Sequence, residues 1–234
     1  MKLPPLLDQL FPLGHSIRVD DQVVRGSAKT AAGDVTVIGT TDHAEVGIEH
    51  ALRLAEAVLE STRNHPNRPI VMLVDTAGQR LSRRDELLGI NGYLAHLAQC
   101  LEIARRRGAR LISLVYAEAV SGGFLSFGLM ADEIFALPDA QVRVMNLNAM
   151  ARITKQPLER LKALSRTSPV FAPGVENYAA MGVVTAVWND KLAERLVSAL
   201  SDSSTGGVRR RLGEERGNRK LAYEVANRVA NGAA

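Results

Sequence analysis

Apolar and polar positions along the chain follow two periods, and the switch between them falls near Val46. Before it, short β-rich runs occupy 16–19 (SIRV), 23–30 (VVRGSAKT) and 35–41 (VTVIGTT), with AAGD as the turn before the last. Runs of this kind bounded by turn residues predict an opening β-meander. The segment ahead of them, MKLPPLLDQLFPLGHS, is punctuated by prolines and by Asp8, and reads as a mature terminus without a signal peptide. From Val46 the spacing becomes helical: Val46, Leu52, Leu54, Val58 and Leu59 lie among Glu49, Arg53, Glu56 and Glu60, and the pattern stops at NHPNRP.

The run 69–78 (PIVMLVDTAG) is apolar at successive positions, as a strand covered on both faces must be, and it breaks at a glycine. A polar loop, QRLSRRDE, leads into a helical pattern over 85–107 that Gly108 closes as a C-cap. Segment 109–119 (ARLISLVYAEA) is the next buried strand, followed by a small-residue helix from SGG and by strand and turn over 133–142. Helical pieces over 145–154 and 157–165, the segment SPVFAPG, a helix turning through Gly182 into a short strand over 175–188, and a helix over 191–200 complete this part. SDSSTGG is a linker by composition, and a charged helix over 214–230 follows. The division expected is a domain over 1–201 and a linker with charged helix over 202–234. Strand, helix, strand at this spacing predicts βαβ crossovers and a largely parallel sheet, with ligands at the carboxyl ends of its strands. DTAGQ and AVSGG are the two loops so placed.

Composition narrows the classes. A chain of 234 residues, 46% hydrophobic, buries a substantial core as one α/β domain. With 4% aromatics and a net charge of +4, it offers no stacking platform for nucleic acid. The most apolar stretch, 111–131, carries Glu118 and the glycine pair and adjoins Asp132 and Glu133, so it reads as buried strand and helix, not a membrane span. Cys100 is the single cysteine, which rules out an intramolecular disulfide and is consistent with the cytoplasm. His15, His43, His50, His65 and His96 show no metal spacing and read as surface or satisfied core groups; no metal site is expected.

A strand entering a helix through Gly122 and Gly123 brings first-turn N–H groups to a place with no Cβ in the way. Oriented there, they form an oxyanion hole for a thioester oxygen becoming an enolate, with Ala77 and Gly78 placed to add a second donor. The plain alternative is that the glycines serve close helix–sheet packing. Asp75 and Thr76 read as groups that pin the loop. Arg80, Arg83 and Arg84 form either a solvated face or an anion contact, and Arg209, Arg210 and Arg211 either a solvated run or a docking patch for an acidic carrier.

VDTAGQ, AVSGG further along, ADEIFALPDAQV and AAMGVVTAVW together resemble the crotonase superfamily and, within it, the carboxyltransferase branch. LFPLGHSI, DTAGQRLSRRDELLGINGYLAHLAQ and GVENYAAMGVV extend this to a resemblance to gamma subunits of biotin-independent malonate decarboxylases, over residues 10 to 200. The resemblance implies an α/β ClpP/crotonase-like fold of repeated ββα units with flanking helices. It also implies a homologous beta subunit, an acyl carrier protein and the transferase subunit that serves it. The activity implied is that of a carboxy-lyase converting malonyl to acetyl thioester and CO2. No cofactor is expected on this chain; a dephospho-CoA-type prosthetic group belongs to the carrier. Carried over residue by residue, the backbones of Ala77 or Gly78 and of Gly122 or Gly123 are the donors, with Gln79, Arg80, Arg83, Arg84 and Ser121 as substrate-binding residues. In related carboxyltransferases the paired subunits bind the CoA thioester and the biotin ring respectively. This chain resembles the biotin-side partner, so its hole is either turned to the departing carboxylate or vestigial.

Three rivals remain at this level. Ser-Gly-Gly after a strand also resembles Clp-like and signal-peptide-peptidase-like serine peptidases, with Ser121 as nucleophile and Lys155 as base. A stand-alone crotonase would use Glu118 or Asp132 as acid/base. A noncatalytic scaffold would only complete its partner's site.

Overall fold

The computed structural model describes residues 1–145, 147–166, 174–202, 208–216 and 221–232. It opens with a helix that the sequence pattern did not announce, α1 (Leu3–Leu10). Prolines occupy its first turn, where a missing N–H leaves no carbonyl unpaired, and Leu3, Leu6, Leu7 and Leu10 are buried. The expected meander follows as β1 (Arg18–Asp20), β2 (Val23–Thr30) and β3 (Gly33–Thr40), antiparallel throughout. A short strand, β4 (Ala44–Val46), takes Val46 out of the helix assigned to it, and α2 (Ile48–Asn64) begins just beyond.

The two buried strands are β5 (Ile70–Gln79) and β6 (Leu111–Val120). Between them the single helix expected over 85–107 is two, α3 (Arg83–Leu87) and α4 (Ile90–Arg106). They break at Gly89, whose φ of 77° lies in the left-handed region that glycine enters without cost. The SGG helix is also shorter than expected: α5 (Ser121–Leu125) has five residues before a 3-10 turn at Gly128–Met130. Then come β7 (Glu133–Ala136), β8 (Gln141–Arg143), α6 (Leu147–Thr154), α7 (Leu158–Leu164), α8 (Val175–Ala180), β9 (Ala186–Val187) and α9 (Leu192–Ser201). The charged tail holds α10 (Val208–Arg216) and α11 (Ala222–Ala230). Arg216 ties α10 to the body, donating to the carbonyls of Val184 (3.0 Å) and Thr185 (2.9 Å). Residues 203–207 of the linker, 168–173 of SPVFAPG and the side chains of Arg209 and Arg210 lie outside the described residues.

Among the described residues the strands join one sheet in the order β1-β2-β3-β5-β6-β7-β9, parallel from β3 onward. Ile70, Met72 and Val74 face a core shared with Leu54 and Val58 of α2 and Leu97 and Leu101 of α4. Val71 and Leu73 face the opposite side, toward Leu6 and Leu10 of α1 and Leu196 of α9. Alternate side chains of β5 thus enter separate cores, which is why its sequence shows no polar parity. On the α1 side Trp188 stacks on Phe135 with ring centroids 4.3 Å apart.

One detail of register positions everything that follows. β3 pairs with β5 only as far as Gly39↔Leu73, and β4 takes up the edge from Ala44↔Thr76 to Val46↔Gln79. In the same way β7 pairs with β6 as far as Val115↔Ala136, and β8 resumes from Glu118↔Gln141 to Val120↔Arg143. The carboxyl ends of β5 and β6 therefore run past the main sheet side by side, flanked by two short strands. Both glycine turns sit there.

Candidate functional site

DTAGQ and AVSGG, 45 residues apart by the span Asp75 to Val120, are brought into direct contact. A Cβ built on Gly123 would lie 2.7 Å from Thr76 Oγ1 and 2.8 Å from the carbonyl oxygen of Gly78. One on Gly78, whose φ is 115°, would meet Ser121 Cβ at 3.3 Å. Absence of side chains at these positions is what lets the turns close on one another. Close packing is thus a physical reason for Gly123 and Gly78 in its own right.

Thr76 and Asp75 pin the first turn, as loop residues of their type do. The Thr76 hydroxyl donates to Ala44 O (2.7 Å) and accepts the N–H of Gly78 (3.0 Å), so the Gly78 amide is engaged within the protein. Asp75 is 4% exposed and accepts the N–H groups of His43 (3.1 Å) and Glu118 (3.2 Å). Gly122 and Gly123 belong to the first turn of α5, where N–H groups have no acceptor within the helix. With five residues the helix carries little macrodipole, so these local N–H groups are what a ligand oxygen would feel. Ala77 is exposed beside them, and Gln79 lies over Gly122, its Oε1 only 2.2 Å from where a Cβ would stand.

The arginines of the following loop have partners of their own. Arg80 donates through Nε to the fully buried Asp85 (2.6 Å) and through Nη2 to Glu49 (2.6 Å), and its guanidinium lies across Gly47. Arg84 reaches the other Glu49 oxygen at 2.6 Å, while Arg83 is exposed. Glu49 is held at a pKa of about 2, first by backbone N–H groups at the start of α2 and then by Arg80 and Arg84. Asp21, Glu49, Arg80, Ser82 and Arg84 line an open depression of about 390 Å³.

Ser121 has a φ of 47°, a strained value for a residue with a Cβ, and occupies the strand-to-helix corner. Among the described residues no hydrogen bond joins it to Lys155, which is exposed after α6. Glu118 and Asp132 are each bound by an arginine, Arg143 (2.7 Å) and Arg105 (2.6 Å) respectively. Of the histidines, His50 bridges Gly47 N (3.2 Å) and Asp21 O (2.9 Å), a core role. His43 is different: its Nδ1 is 3.1 Å from Asp75 Oδ1 and 3.3 Å from Glu118 Oε2. Sequence reading passed over it because its carboxylates come from β5 and β6, far along the chain, and TTDHAEV carries no local signal. Among the described residues no His, Cys, Asp and Glu group is arranged to hold a metal ion, and no helix is long and apolar enough to cross a membrane.

Comparison with known proteins gives this geometry its family. A family model described as malonate decarboxylase gamma subunit matches residues 41–233. The malonyl-S-ACP:biotin-protein carboxyltransferase of Malonomonas rubra is 30% identical over 250 residues, covering 91% of this chain and 86% of the relative. Among solved structures, a Pseudomonas malonate decarboxylase hetero-tetramer in complex with coenzyme A is similar at a TM-score of 0.80 and 27% identity, over 97% of this chain and 95% of that one. The transcarboxylase 12S core, 19% identical with a TM-score of 0.71 over 88% of this chain and 43% of that one, shares the crotonase fold. The paired glycine turns and a match spanning both of them lead to one conclusion: the chain belongs to the malonate decarboxylase gamma subunit family.

Proposed function

We propose that this chain, joined to a homologous beta subunit in the cytoplasm, forms the site where malonate held as a thioester on an acyl carrier protein loses CO2. The observation that carries the reading is the contact between the turns at Gly78 and Gly123, on the projecting ends of β5 and β6. Breaking the bond to the carboxylate leaves an electron pair that the thioester carbonyl accepts as an enolate. Fixed N–H donors aimed at that oxygen lower the barrier by about 3–4 kcal/mol each. The Gly78 amide is already given to Thr76, so the donors assigned are Gly122 and Gly123 with Ala77 across the seam. Gln79 and Ser121 stand next to that seam and would orient the thioester. Arg83 is the loop arginine left to meet a carboxylate, since Arg80 and Arg84 are held by Glu49 and Asp85. The thioester arm is a dephospho-CoA-type group carried by the acyl carrier protein and loaded by a separate transferase subunit.

The test is reconstitution. The chain alone is expected to fold and to leave malonyl thioester intact; addition of the beta subunit and loaded carrier should release CO2 and acetyl thioester. Robust turnover by the isolated chain would contradict the shared site. A fluorophosphonate probe separates the peptidase reading, which requires stoichiometric labelling at Ser121.

A further inference from the structure

We propose that residues 208–234 form a docking arm for the acyl carrier protein, which the arm meets as an acidic partner with an apolar groove; this rests on the carrier-borne substrate proposed above. The arm stands apart from the rest of the chain in charge. It holds seven basic and three acidic side chains, so the net charge of +4 resides there, while residues 1–207 carry 22 of each sign. The family match runs to residue 233 and takes in the whole of α10 and α11.

α10 is rooted on the body, whereas the apolar row of α11 is left open. Arg216 donates to the carbonyls of Val184 and Thr185, and a Cβ on Gly213 would stand 2.9 Å from Met181 O, so α10 lies close against the corner between α8 and β9. Beyond it, Leu221, Val225 and Val229 follow one another at intervals of four and are 70%, 54% and 76% exposed. In a helix that spacing puts the three side chains in one row. Arg228 comes seven residues after Leu221, two turns less about 20°, and therefore stands beside the same row. It too is exposed. A row of large apolar side chains edged by a cation is what an amphipathic helix presents to a groove.

Charge selects the partner. Interfaces that hold permanent subunits together are apolar and depleted in charge at their centre, which seven cations in 27 residues do not fit. A carrier must arrive, deliver its thioester and leave in every turnover, and complementary charge speeds arrival more than it tightens the complex. The apolar row then adds the short-range contact that fixes orientation. α8, about 9 Å long, joins the arm to the site. It runs from Gly174, whose N–H donates to Val142 O of β8 at 2.9 Å, to the corner where α10 sits. β8 in turn lies beside the end of β6 that leads into Ser121. The root of the arm is thus one short helix away from the strand that flanks the glycine turns.

The experiment uses the complex with its beta subunit and compares wild type with the double variant Val225→Asp, Arg228→Glu. Binding of fluorescently labelled, malonyl-loaded carrier is read by anisotropy at low and high salt. CO2 release is read against carrier concentration, and association with the beta subunit by size-exclusion chromatography. Wild-type binding should weaken with salt. In the variant, Kd and the KM for carrier should both rise about tenfold, with kcat at saturating carrier unchanged and the beta subunit retained. If the double variant does not fold, Val225→Ser and Arg228→Gln are read singly in the same way. A Kd and KM within about threefold of wild type overturn the arm. So does loss of the beta subunit from the variant, or arm-dependent sedimentation with anionic phospholipid vesicles in place of carrier binding. Arm-dependent carrier binding by a complex that releases no CO2 overturns the decarboxylation and leaves the arm standing.

Discussion

Replacing Gly123 by alanine adds one methyl group at the tightest point between the two turns. The new Cβ would stand 2.7 Å from Thr76 Oγ1, 2.8 Å from Gly78 O and 2.9 Å from Gly78 C, where ordinary contact starts at 3.4 Å. Two of these neighbours are backbone, so relief requires β5 and α5 to separate by at least half an ångström, not a rotamer change. Overpacking of this kind costs about 1–3 kcal/mol. The same displacement strains the Thr76 hydroxyl, which holds both Ala44 and Gly78, and weakening that buried pair adds about 1 kcal/mol. The expected loss is therefore about 2–4 kcal/mol. Urea unfolding followed by circular dichroism measures it, with the slope checked for constancy. Gly92→Ala is the control: that glycine lies within α4 with nothing within 4 Å of a Cβ, so alanine should stabilise by about 0.5–1 kcal/mol. A Gly123→Ala midpoint within 0.5 kcal/mol of wild type would refute the packing argument, because a seam that accepts a methyl group is not closed.

Gly122→Ala meets the flexible end of Gln79, its Oε1 at 2.2 Å, so stability should change by less than about 1 kcal/mol. Activity of the reconstituted complex should fall, because the displaced Gln79 amide is the group assigned to orient the thioester. Thr76→Val keeps the shape but leaves Gly78 N–H and Ala44 O unpaired; a loss of about 1–3 kcal/mol and faster hydrogen exchange at Gly78 are expected. The pKa of Glu49 is lowered from 4.5 to about 2, so its contribution to stability is complete above pH 4.5 and disappears as the pH falls toward 2. The difference between wild type and Glu49→Gln should shrink over that window. It should be modest and salt-sensitive, since the Glu49 side chain is 39% exposed. Arg110→Met would leave Glu133, whose pKa burial already raises, without its partner at 3.0 Å; a loss of about 3–5 kcal/mol at neutral pH, smaller in acid, is expected in thermal unfolding.

Local pattern determined much of this molecule. An unbroken apolar run at 70–74 and a run at 111–115 interrupted only by Ser113 announced the central strands, the spacing of Leu54 and Val58 announced α2, and the glycines marked where backbone had to approach backbone. Pairwise residue chemistry also told that Asp75 and Thr76 would pin a turn. Elements of a few residues were not legible: β4 has three, too few for a period to appear, and α1 hid behind prolines that its first turn tolerates. The break at Gly89 looked like an interruption that a helix would absorb, because only the fold required a positive φ there.

The site divides along the same line. Sequence could nominate DTAGQ and AVSGG, but only parallel pairing past the ends of β3 and β7 placed them against each other. Tertiary structure alone gave Arg80 and Arg84 to Glu49 and Asp85, and His43 to carboxylates 32 and 75 residues further along the chain. A periodic sequence reports which face of an element is apolar, because burial repeats with the backbone. A hydrogen bond between distant polar groups leaves no period in the chain, so it is decided only when the sheet brings its strands into register.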